Sequence, residues 1–154
     1  MGLYYADLGN DEKAQKMYLE ATRCCEGWSG PWFNLSLLFK RKNNLQQALA
    51  AIDNAIKVQE IGPNYTQKAM LEEKLGLDDK KLESLEDAFE CFDDINSQSD
   101  WELGWYITAN KMAGNDEIVK LAEEKRVERN RGNPLPVIGG VLPNSTRGGL
   151  ETLK

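Results

Sequence analysis

The chain has 154 residues, 41% hydrophobic and 29% charged, which is one domain's worth of globular sequence with many exposed helix faces. Its net charge of −6 disfavours nucleic acid, and its lack of histidine removes imidazole from any general-base role, nucleophilic triad or ordinary zinc site. No apolar run approaches the ~20 residues of a membrane span and no signal peptide is visible, so the expectations are a cytoplasmic chain with no membrane, metal or cofactor site and no catalysis.

In chain order, Gly2, Tyr5 and Gly9 supply a small residue, an aromatic and a turn, and Ala14, Tyr18 and Ala21 then recur at helical spacing. Asn10-Asp11 starts that second helix, with acids in the first turn where the helix dipole favours them. The helix before Gly9 is too short to hold by itself, which predicts that the sequence is the C-terminal portion of a longer chain. After the loop 27–30, Pro31 opens a helix whose one face carries Trp32, Leu35, Ser36 and Phe39. Asn43-Asn44 ends it, since Asn tolerates the left-handed conformation, and Asn44 with Gln47 caps the next helix, where Ala48, Ile52 and Ala55 share a face.

Those seven residues at those spacings resemble the tetratricopeptide repeat, a 34-residue helix-turn-helix. The departures are Asn43 where the turn Gly is usual and Glu60 where the closing Pro is usual. The resemblance implies an all-α fold, a right-handed superhelical solenoid of antiparallel helix-turn-helix repeats, to which the composition of the last residues adds an extended C-terminal tail. Small residues let the paired helices approach while large ones fill the gap beside them, and a single hairpin cannot bury that face alone. The repeat domain is placed at residues 1–131, in units 1–28, 29–61, 62–97 and 98–131. Trp28 is expected to fill the junction between stacked repeats or, as the alternative, to sit half exposed as a partner contact.

The third unit repeats the loop-plus-Pro device at Gly62-Pro63 and keeps Tyr65, Ala69, Gly76, Leu85 and Ala88 if one residue is deleted at the junction. Lys68, Glu72 and Lys81 sit where Leu, an aromatic and Ala are usual. Residues 61–100 carry eleven acids against four bases, and neighbours such as Glu72-Glu73 and Asp93-Asp94 are assigned to solvated helix faces. In the fourth unit Ser99 and Glu102 form a capping box, Leu103-Gly104 imitates the Leu-small pair, and Gly114 arrives about three residues late, predicting a longer helix. Its partner, from Asn115 to about Arg131, has the weakening apolar stripe of a terminal helix. Of the cysteines, Cys24, Cys25 and Cys91 are expected to be free thiols, one of the adjacent pair filling core space.

Residues 132–154 change character. Pro134, Pro136 and Pro143 exclude regular helix, and the segment 134–143, PLPVIGGVLP, has no charge but several aliphatic residues. The expectation is a tail that packs extended on the last two helices, or on a neighbouring chain, giving self-association.

The resemblance implies a protein-interaction scaffold that takes a protein or peptide partner along a concave groove. The alternative is a regulatory or oligomerising appendage of a larger enzyme or chaperone. By family geometry the groove positions are Phe33, Asn34, Leu37, Lys40 and Arg41, with Met70 and Lys74 from the next repeat. Phe33 and Leu37 are expected either to be open, with a basic rim, or to be covered by neighbouring units or the tail. Some family members clamp a C-terminal carboxylate. Here Asn34 holds one Asn seat of such a clamp, but Leu3 stands where the first repeat should supply another.

Overall fold

The computed structural model describes residue 2 and residues 9–132. Among them seven helices follow one another: α1 (Asp11–Cys24), α2 (Gly30–Arg41), α3 (Leu45–Val58), α4 (Gly62–Lys74), α5 (Asp78–Cys91), α6 (Asp100–Ala113) and α7 (Asp116–Gly132). Each helix packs on the next, and α4 also packs on α6, so the described residues form an all-α array of helical hairpins. The expectations for Tyr5, Leu3 and the tail beyond residue 132 lie outside the described residues.

A left-handed residue turns every hairpin: Gly9 (φ 70°), Asn43 (φ 58°), Gly76 (φ 72°) and Gly114 (φ 75°). Gly spares the Cβ clash there, and Asn43 tolerates it. The four turns are 34, 33 and 38 residues apart, which brackets the one-residue deletion between Asn43 and Gly76. The lateness of the fourth turn lies mostly in the connection. Eight residues, 92–99, join α5 to α6, whereas three join α3 to α4, and α6 itself is only one or two residues longer than α4 and α2. The side chains of Asn10 and Asn44 cap α1 and α3, and Ser99 with Glu102 forms the full capping box of α6.

The small seats are closed and the large ones sit beside them. Ser36, Ala48, Ile52 and Ala55 are fully buried, Leu35 nearly so, and Trp32 and Phe39 are half-buried bridges touching the clusters on both sides of α2. In the first unit Gly2 lies against the ring of Tyr18, so closely that a Cβ there would overlap it. Burying such faces supplies about 25 cal/mol per Å² of apolar area, which the isolated hairpins could not gain.

The third hairpin is built differently, because Asn64, Thr66, Gln67, Glu72 and Ser84 are all buried. Gln67 Nε2 donates to Ser36 Oγ at 3.3 Å, and Ser84 Oγ donates to Glu72 Oε2 at 2.7 Å. Lys68 pairs with Asp53 on α3 at 2.9 Å, and Lys81 with Glu73 on α4 at 3.5 Å. Glu72 is therefore an internal hydrogen-bonded carboxylate and not part of a solvated face. Cys24 and Cys25 are both exposed, so neither fills the core, and all three cysteines are free. The last helix is tied back by Arg129, whose guanidinium donates to the carbonyl oxygens of Ile95 (2.9 Å) and Gln98 (2.7 Å) and pairs with Asp100 (3.3 Å).

Candidate functional site

The first turns of α2, α4 and α6 meet at one end of the array around a cavity of about 440 Å³. From α2 come Phe33, Asn34 and Leu37, from α4 Asn64, and from α6 Trp101 and Trp105. The connections before α2 and α4 add Trp28, Ser29, Gln59 and Ile61. Among the described residues, no lining residue is charged.

The aromatic wall is self-supporting. Phe33 meets Trp105 edge-on at 5.2 Å and Trp101 at 5.6 Å, and the two indoles stand 6.4 Å apart. Such T-shaped contacts align ring edges with ring faces and hold them in place. Phe33 is thereby only 5% exposed and is covered by α6, the second of the two arrangements expected from the sequence. The exposed apolar groups are instead Trp28 (56%) and Trp101 (50%). Trp28 does not fill the junction between repeats but lies over Gly30, where a Cβ would strike the indole.

Two amides flank the wall, one exposed and one buried. Gln59 Oε1 accepts from both the backbone N–H and the hydroxyl of Ser29, at 3.1 and 2.8 Å. Asn64 is fully buried and its Nδ2 donates to the carbonyl oxygen of Gln59 at 2.8 Å, but its Oδ1 accepts nothing from the described residues. A buried acceptor without a donor is costly and infrequent in native folds. Asn64 also lines the cavity.

Of the other expected groove residues, none joins this cavity. Lys40 lies further along α2, half-buried, with Nζ 3.4 Å from Gln67 Oε1 and 4.0 Å from the sulfur of Met70. Burial, and then the Lys74 cation, hold the Lys40 ammonium below its ordinary range. Arg41 is ion-paired with Asp11 of α1 and belongs to the junction between the first two repeats. The basic rim is therefore divided. The acidic block acts elsewhere: burial, then Glu60, which accepts the phenol's hydrogen bond at 3.2 Å, push the Tyr65 hydroxyl up to about 12. Burial, then Glu60, Asp87 and Glu90, raise the Cys91 thiol as well.

The residues missed by sequence reasoning are chiefly Trp101, Trp105 and Asn64. A signal existed for the indoles. Leu103 and Ile107 occupy the repeat's inward seats, and positions two residues away on a helix point about 200° around, so Trp101 and Trp105 form a second aromatic face facing away from α7. Asn64 gave none, because a buried amide and a solvated one read alike.

The tetratricopeptide repeat family model matches residues 30–61, which span α2, the Asn43 turn and α3. The crystal structure of MamA matches 85% of this chain and 75% of its own, with a TM-score of 0.54 at 16% sequence identity, a likeness of fold. No curated protein sequence matches the chain. Repeat sequence and repeat architecture coincide at the α2–α3 hairpin, which is the part of the chain that the tetratricopeptide repeat model matches.

Proposed function

We propose that the protein is a noncatalytic interaction scaffold that takes an extended, apolar segment of a protein partner across the first turns of α2, α4 and α6. The observation that carries this is the cavity lined by uncharged residues, with half-exposed Trp28 and Trp101 among them. Aromatic walls favour apolar side chains and prolines of an extended segment. Phe33, Asn34 and Leu37 belong to this surface, with Phe33 as its support. Lys40, Met70 and Lys74 form a neighbouring basic and thioether patch that accommodates an acidic end of the same partner.

The test is affinity capture from the source lysate with the wild-type chain beside a Trp28→Ala/Trp101→Ala variant. Specific partners should be lost by the variant, with its helical circular dichroism kept and melting lowered by no more than about 4 °C. Undiminished capture by the variant would move the binding surface elsewhere. Turnover abolished by a single carboxylate substitution would overturn the noncatalytic part.

A further inference from the structure

The groove's occupant follows from where the chain leaves the described residues. In an array of hairpins the second helices end where the first helices begin. The cavity stands at that end, built from first turns and from the links after α1 and α3. α7 ends there too, at Gly132, with Arg129 fastened to the carbonyl oxygens of Ile95 and Gln98 and to Asp100, the residue before Trp101. The remaining 22 residues, 133–154, thus begin beside the mouth of the groove.

Reach and chemistry both fit. The uncharged run 134–143 has ten residues, which fully extended cover at most about 36 Å. Neighbouring packed helices are about 8–10 Å apart, so that length crosses from α7 over α6 and α4 to α2. Pro134, Pro136 and Pro143 favour an extended backbone of the kind that docks on aromatic walls. Leu135, Val137 and Ile138 are aliphatic partners for indole faces, and none of these residues forces a charge onto an uncharged lining. The exposed stripe of α7 competes less well, because the cavity beside Ile118 and Leu121 is edged by Asp93 and Asp94, whose carboxylates an uncharged segment would desolvate.

We propose that residues 134–143 occupy the aromatic groove in cis, as an internal competitor that a partner segment must displace. The proposal rests on the groove assigned above as the binding surface. The experiment uses the full chain and a Val137→Asp/Ile138→Asp variant, compared by tryptophan fluorescence, since three of the four tryptophans line the cavity. The variant should emit further to the red and be quenched more by acrylamide, with unchanged far-ultraviolet circular dichroism. A synthetic peptide of residues 133–146 should reverse the shift in the variant. It should bind the wild-type chain about tenfold or more weakly, because a tethered segment competes at an effective concentration on the order of millimolar. Adding Trp101→Ala to the variant should abolish peptide binding.

Identical emission and equal peptide affinity in the two chains would overturn cis occupancy. If that peptide binding were still lost with Trp101→Ala, the groove would stand as a binding surface without its own tail. Loss of peptide binding through Leu121→Asp instead of Trp101→Ala would place the tail on the last helices and overturn the proposal. A wild-type signal that changes with protein concentration alongside dimer formation would mean exchange between chains, and would overturn it equally. Failure of the groove itself reads out separately, as partner capture insensitive to Trp28→Ala/Trp101→Ala.

Discussion

The hairpins α2–α3 and α4–α5 share a turn geometry and lie side by side, yet they are held by different chemistry. In α2–α3 the seats facing the partner helix are Leu35, Ser36, Ala48, Ile52 and Ala55, and contact is close because the residues are small or apolar. In α4–α5 the three seats that break the family pattern each have a polar partner. Lys68 meets Asp53, Glu72 meets Ser84, and Lys81 meets Glu73. One hairpin closes on small and apolar seats, and the other encloses the hydrogen-bonded pair Glu72–Ser84 beside Ala69, Leu85 and Ala88, with the two lysine pairs nearer its surface. The difference teaches that a repeat can leave its apolar pattern without leaving its geometry, provided that the substitutions are complementary.

The largest expected effect breaks the apolar hairpin. Leu35→Ala removes a side chain that is 1% exposed, and the cavity left between α1, α2 and α3 should cost about 3–4 kcal/mol in denaturant unfolding. A loss under about 1 kcal/mol would mean that the helices collapse into the space and are not held by shape. The matching break in the polar hairpin is Ser84→Ala. It removes the one hydrogen bond that reaches the Glu72 carboxylate among the described residues, and should cost about 2 kcal/mol by leaving a buried acceptor unpaired. If Ser84→Ala were neutral, water would be reaching Glu72 and the hairpin would not be sealed.

The turns give a smaller effect. Asn43 holds φ 58° where the other three hairpin turns have Gly, so Asn43→Ala should lose about 1 kcal/mol. Asn43→Gly should stay within a few tenths of wild type, by thermal melting. Equal losses in both would assign the role of Asn43 to its side chain instead of its backbone.

How far the fold was legible in the sequence follows from the same contrast. Apolar periodicity and turn chemistry carried the α2–α3 hairpin, its Asn44 cap, the capping box at Ser99 and the deletion before Gly76, since these depend on local residue types. Burial of Glu72, Gln67 and Asn64 was not legible, because a polar residue shows its environment only through a partner distant in sequence. The groove shows the same division. Family geometry placed Phe33, Asn34 and Leu37 on the surface, but the cover of Phe33 by Trp101 and Trp105 joins α2 to α6 and depends on how units two and four approach. The separation of Lys40 from Arg41 likewise turned on Asp11, thirty residues earlier.

The smallest expected effect is the sharpest test of the comparison. Glu72 and Ser84 touch each other and are almost wholly enclosed, at 2% and 4% exposure. If their role is to fill a sealed space without an orphaned polar atom, replacing both by apolar residues should restore what either single change loses. Glu72→Leu with Ser84→Ala removes donor and acceptor together while keeping a side chain of similar length at position 72. Such exchanges of a buried polar pair are commonly neutral or stabilising, so the double variant should unfold within about 1 kcal/mol of wild type and well above Ser84→Ala alone. The cycle through both single variants would then give a coupling of about 2 kcal/mol between the two sites. A double variant as unstable as Ser84→Ala would mean that the carboxylate–hydroxyl pair fixes the approach of α4 and α5 by its own geometry, and that the two hairpins differ in what sets their packing as well as in what fills it.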